Sequence, residues 1–129
     1  MKELTKAEEQ VMQILWKTGA SFVKDILTEM PEPKPAYNTV STIVRILQKK
    51  EFVGHEAFGR SHQYYPLVSK EDYRHELVKS VIQRFYDDDY KKFATFFLDS
   101  GLSEKNLAIV KRAIEGRLRD KRNRQQTLF

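Results

Sequence analysis

The chain contains no cysteine. That one absence removes a disulfide framework, a thiolate metal site and a cysteine nucleophile together, and it fits a cytoplasmic setting. Long apolar runs are missing too. The longest uncharged apolar stretch of the second half is Phe93 to Leu98, far short of the ~20 residues of a membrane span. The opening Met1-Lys2-Glu3-Leu4 has no signal-peptide core. No internal repeat, phosphate loop or nucleophile–base pair is found, so neither an enzyme nor a cofactor is expected.

What is present is charge. The 129 residues hold 23 Lys/Arg against 18 Asp/Glu, a formal net charge of +5. A basic balance favours a polyanionic partner without requiring one, and its distribution says more. Residues 1–68 are nearly neutral, with nine basic and eight acidic side chains. Within them Lys34 to Arg60 holds five basic and two acidic residues, and residues 111–129 hold seven and two. The positive charge sits mid-chain and at the C-terminal end.

Helix signals open the chain. Thr5 with Glu8 forms a capping box. Val11, Ile14, Leu15 and Thr18 then share a face flanked by Met12 and Trp16, and Gly19 stops the helix. Ser21 is placed to cap a second helix with apolar Val23, Ile26, Leu27 and Met30. Pro31, Pro33 and Pro35 force an extended connection. A third helix fits Tyr37 to Lys50, with Val40, Ile43, Val44 and Leu47 at helical spacing and Ile46 added to them. Two β-rich runs, Val53 to Phe58 and Ser61 to Leu67, flank Gly59-Arg60 as a hairpin.

The second half reads as all helix. Ser69 and Asp72 begin a stripe of Tyr73, Leu77, Val78, Val81, Ile82 and Phe85. Asp87-Asp88-Asp89 interrupts it, and Tyr90 to Leu98 is a short aromatic helix. Ser103 caps a last helix carrying Leu107, Val110, Ile114 and Leu118. From Lys121 the chain is polar and expected to fray.

Helix, helix, helix, hairpin is the order of a winged helix-turn-helix. The fold class is therefore mainly α with a small β-hairpin wing, followed by a C-terminal helical dimerisation region. The boundaries are 1–68 for a DNA-binding domain, 69–120 for dimerisation and 121–129 for a basic, flexible tail. The third helix is split as a recognition helix requires, aliphatic on one side and bearing Asn38, Thr39, Ser41 and Thr42 on the other. Those four are assigned to base edges, since Asn pairs with adenine and a Thr methyl touches the thymine methyl. Tyr37, Arg45, Lys49, Lys50 and Arg60 are assigned to the DNA backbone, Arg60 because a cation on a turn suits phosphate. A solvated helix face is the bland alternative, and a winged-helix module for protein–protein contact without specific DNA readout is the rival function.

His55 and His62 flank the hairpin tip nearly symmetrically. Two imidazoles with only Glu56 nearby make a poor zinc site, so no metal is expected. His75 stands alone on a helix, and three successive aspartates do not converge on one point. Phe85, Tyr86, Phe93, Phe96 and Phe97 read as a core or interface rather than a ligand pocket, because a lone monomer would expose them. Val81, Phe85, Phe93, Phe97, Leu107, Val110, Ile114 and Leu118 are assigned to a homodimer interface.

Several strings together resemble a known family. Leu4-Thr5-Lys6-Ala7-Glu8, Val11-Met12-Gln13-Ile14-Leu15-Trp16, Tyr37-Asn38-Thr39-Val40-Ser41-Thr42, Leu47-Gln48-Lys49-Lys50 and Tyr64-Tyr65-Pro66 are similar to the penicillinase and methicillin-resistance repressors, over roughly residues 3–120. The resemblance implies a cytoplasmic repressor whose C-terminal helices interlock in a dimer and which a membrane-bound sensor metalloprotease inactivates by cutting. It places the scissile bond at Phe96–Phe97, where the best-known members have Asn-Phe. Those members also carry basic residues on the recognition helix where this chain has Asn38 and Ser41, so its operator need not match the family's TACA-type half-site. The copper-responsive branch has a cysteine-rich C-terminus that is missing here.

Overall fold

The computed structural model describes residues 2–127. They form two compact units, one up to Ser80 and the other from Val81.

In the first unit, helix α1 (Lys6–Thr18) starts on the expected capping box. The Glu8 backbone N–H donates to Thr5 Oγ1 at 3.2 Å and the Thr5 N–H to Glu8 Oε1 at 2.8 Å, satisfying two N–H groups that the first turn leaves open. Val11, Met12 and Leu15 are fully buried. Gly19, at φ 78°, ends the helix, its N–H donating to the Leu15 carbonyl at 2.8 Å.

The next residues depart from expectation. Ser21 does not cap a helix. Its hydroxyl turns back to the Gly19 carbonyl at 3.1 Å and to Thr18 Oγ1 at 3.0 Å, while its backbone enters a two-residue strand, β1 (Ser21–Phe22). Helix α2 (Val23–Glu29) begins instead with the Phe22 N–H donating to Asp25 Oδ2 at 3.2 Å. Helix α3 (Tyr37–Lys49) buries Val40, Val44 and Leu47 completely. Ile46 is exposed rather than part of that face, because it lies about 125° round the helix axis from the buried row.

Strands β2 (Val53–Phe58) and β3 (Ser61–Pro66) form the hairpin, pairing from Val53↔Pro66 to Phe58↔Ser61. Gly59 takes φ 64° at the first of the two turn residues, a position that favours glycine in a two-residue hairpin loop. β1 pairs with the other side of β3, Ser21↔Tyr64 and Phe22↔Gln63, so the sheet order is β1-β3-β2. The wing has three strands, not two.

Helix α4 (Lys70–Phe85) belongs to both units. Its first half is tied to the first core through Tyr73, whose hydroxyl accepts from the Leu4 N–H at 3.0 Å and whose ring lies 5.9 Å from Trp16 and 5.8 Å from Phe52. Trp16 Nε1–H donates to the Val68 carbonyl at 2.8 Å. These ties carry the first unit past residue 68.

In the second unit Asp87 and Asp88 adopt left-handed φ of 52° and 58°. Asp89 caps α5 (Tyr90–Leu98), its carboxylate accepting from the Lys91 and Lys92 N–H groups. The exposed Lys92 ammonium donates to Asp87 at 3.0 Å. The three aspartates thus make a turn and a cap. Tyr86 lies 5.6 Å from Phe93 and 5.7 Å from Phe96, and Phe93 lies 6.3 Å from Phe97, between ring centres. Gly101, at φ 88°, follows α5, and Ser103 Oγ accepts from the Asn106 N–H at 3.1 Å to start α6 (Glu104–Thr127). The helix runs on past Lys121, because the Arg, Lys and Gln there are good helix formers. Leu128 and Phe129 of the expected tail lie outside the described residues. No helix among the described residues is long and apolar enough to cross a membrane.

Candidate nucleic-acid interface

The outer face of α3 begins at its N-terminus. Tyr37, Asn38, Thr39 and Thr42 are exposed there and Ser41 is half-buried. The Thr42 hydroxyl donates back to the Asn38 carbonyl at 2.9 Å, which spends its proton and leaves its methyl and an acceptor oxygen to present. Arg45 Nη2 donates to Ser41 Oγ at 3.1 Å, so the guanidinium leans along the helix toward the N-terminal turns.

The wing meets this face through its tip. Phe58 is exposed but packs edge-on against Phe22, with ring centres 5.9 Å apart and planes at 68°. β1 therefore holds the wing tip as well as widening the sheet. Between α3, the start of α2 and the wing lies a cleft of about 680 Å3 lined by Phe22, Val23, Lys24, Tyr37, Asn38, Ser41, Arg45, Phe58, Arg60, Ser61, His62 and Tyr64. Lys24, Arg45 and Arg60 are cations and no lining residue is a carboxylate. A concave, cationic, partly aromatic surface is suited to a polyanion.

The cleft brings together Tyr37, Asn38, Ser41, Arg45 and Arg60 of the residues assigned from sequence. Thr39, Thr42 and Lys49 are exposed on α3 but do not line it. Lys50 is a correction. Its ammonium ion-pairs with Glu8 Oε1 at 2.7 Å, with only 21% of its side chain exposed, so it is not a free phosphate ligand. Burial pushes the Glu8 carboxyl up, but the hydrogen bonds from Lys50 and Thr5 and the lysine charge outweigh it and hold the group below its ordinary value. Sequence reasoning missed Lys24, Phe22, Phe58 and His62. Lys24 could have been found from its place at the N-terminal turn of α2, but the part played by Phe22 needs β1, which two residues cannot signal.

The connection that seats α3 has its own clamp. Lys34 Nζ donates to the carbonyls of Leu27, Thr28 and Met30 at 3.2, 2.7 and 2.8 Å. One ammonium thereby satisfies the open C-terminal end of α2.

On the wing His55 and His62 do meet, stacked with ring centres 4.3 Å apart, and Gln48 Nε2 lies 2.7 Å from His55 Nδ1. Parallel rings do not converge on a common metal position. Among the described residues no group of three or more His, Cys, Asp or Glu is placed to hold a metal ion.

In the second unit Phe85, Phe97, Leu107, Ile114 and Leu118 are exposed, while Val81, Phe93 and Val110 are half-buried. Phe96 and Phe97 are both exposed.

The penicillinase repressor family model matches residues 4–116. The methicillin resistance regulatory protein MecI of Staphylococcus aureus (strain N315) is 26% identical over 98 residues, 75% of this chain and 80% of that one. A penicillinase repressor of S. aureus is 25% identical over 96 residues, 74% and 76% of the two chains. Among solved structures, the monomeric form of Bacillus licheniformis BlaI in complex with the blaP half-operator is 26% identical, covers 56% of this chain and 89% of that one, and superposes with a TM-score of 0.47.

Proposed function

The chain belongs to the penicillinase repressor family, and on that premise we propose that it is a cytoplasmic transcriptional repressor binding a palindromic operator as a homodimer. The observation that carries this reading is the cleft floored by the start of α3. Three cations surround it, no carboxylate lines it, and small polar side chains occupy the turn where a recognition helix meets base edges. Asn38, Thr39, Ser41 and Thr42 read bases. Tyr37, Arg45, Lys49 and Arg60 hold the phosphate backbone, joined by Lys24, which shares the cleft.

Dimerisation is assigned to Val81, Phe85, Phe93, Phe97 and the Leu107, Val110, Ile114, Leu118 row. In a single chain most of these apolar side chains face solvent, which a partner copy would relieve. Proteolytic release by a membrane sensor metalloprotease is assigned to the Phe96–Phe97 bond. Phe96, which is exposed and is not among the residues assigned to the interface, supports access.

The test of readout is Thr39→Ala. On a duplex selected from a random library it is expected to cost about 1–3 kcal/mol, and much less on unselected DNA. Equal losses on both would overturn base reading by Thr39. A flat dependence of affinity on salt for the unaltered protein would overturn DNA binding itself.

A further inference from the structure

We propose that the stretch Arg117 to Arg124 of α6 is a second DNA contact, a sequence-independent clamp on phosphates flanking the operator. The inference rests on the repressor reading above but on a different part of the chain. Of the formal net charge of +5, +4 resides in these eight residues, where Arg117, Arg119, Lys121, Arg122 and Arg124 face a single acid, Asp120. All five cations are exposed on a continuous helix.

Helix stability does not account for this concentration. The helix macrodipole rewards cations only within the last turn, and of the five only Arg124 lies there. The other four lie within about two turns, where Arg117 and Lys121, and Arg119 and Arg122, are like-charge neighbours at helical spacing, offset only in part by Glu115 and Asp120. A densely charged polyanion reverses that sign, and duplex DNA carries one phosphate per ~1.7 Å of axis. Four of the five cations are arginine, whose planar fork pairs bidentately with phosphate. An anionic membrane is the poorer occupant. A helix lying on lipid needs an apolar face opposite its cations, and Leu118 is the one large apolar residue between Arg117 and Gln126. The first unit also needs the help. With twelve basic and eleven acidic residues over 1–80, its net charge supplies little of the sequence-independent attraction that DNA binding draws on.

The test uses the full chain with Arg117, Arg119, Arg122 and Arg124 all changed to Gln, and a second version with the same four changed to Lys. Affinity is measured against salt on a long duplex holding the selected operator centrally and on a random duplex of equal length. The Gln version is expected to sediment as the unaltered protein does. Its log–log salt slope should be shallower by about two to four units on both duplexes, with the operator-to-random ratio kept. The Lys version should retain the slope. An unchanged slope in the Gln version overturns the clamp while leaving the repressor reading standing. So does an equal slope loss in both versions, a changed association state, or loss confined to binding of anionic phospholipid vesicles. If the unaltered protein does not distinguish operator from random DNA, the repressor reading falls first and the clamp with it.

Discussion

Glu8 shows how far one residue can be read and where reading stops. Its place in a capping box is visible from Thr5 three residues earlier, and the structure has both bonds of that box. Its second role, holding Lys50 across 42 positions of sequence, is not visible, because no local pattern reports which distant element packs alongside. The pairing matters because Glu8 is only 4% exposed, and a buried charge without a partner is costly. Lys50→Met is expected to lower stability by about 3 kcal/mol in urea unfolding at neutral pH. The sign of the pH dependence follows from the lowered carboxyl pKa. Glu8 stabilises fully above the ordinary glutamate value of about 4.3, and this contribution is lost as pH falls through its lower folded-state value. Glu8→Gln should therefore start less stable at pH 7 and flatten the loss of stability below about pH 4.3. An unchanged acid limb of the stability profile would show the carboxylate to be idle.

At the scale of elements, periodicity recovered α1 and α3 because each buries one continuous face, and the β-rich runs flanking Gly59-Arg60 recovered the hairpin. It failed at Ser21, where a hydroxyl before an apolar run is as consistent with a cap as with a strand. Only pairing with Tyr64 decides for the strand. It failed also at Ile46, which is apolar yet exposed. The polar half of α3 was legible as a set, but not the internal bond that spends the Thr42 hydroxyl on Asn38. That bond separates two threonines of the same helix. Thr42→Val keeps the methyl and removes a hydroxyl whose proton is already spent, so operator affinity should stay within about twofold, a few tenths of a kcal/mol. Arg60→Ala acts through the wing instead. It should weaken operator and random DNA alike and reduce the salt slope by about one unit. Fluorescence anisotropy on the two duplexes measures both changes, and a loss confined to the operator would reassign Arg60 to base reading.

Over the whole molecule, the two units differ in how well they are filled. The first has a core running from Leu4 to Tyr73. In the second, among the described residues from Val81 on, Ile82 is the one buried side chain, while Ile114 is 55% exposed. The sequence announced the stripe on α6 but not the continuation of the helix to Thr127, since polar residues without a packing face leave no periodic trace. Replacing Val110 and Ile114 with Asp should yield monomers by sedimentation and weaken operator binding by a factor on the order of 10²–10⁴. A monomeric unaltered protein at micromolar concentration would remove the basis for that expectation. On the pairing proposed above, a unit that covers its apolar row with a second copy would have an order that depends on concentration, and repression would follow gene dosage. While most chains are still single, the number of pairs grows with the square of the number of copies, so halving expression removes about three quarters of the active species. A cell emptying of this protein would release its operators well before the last copies are gone.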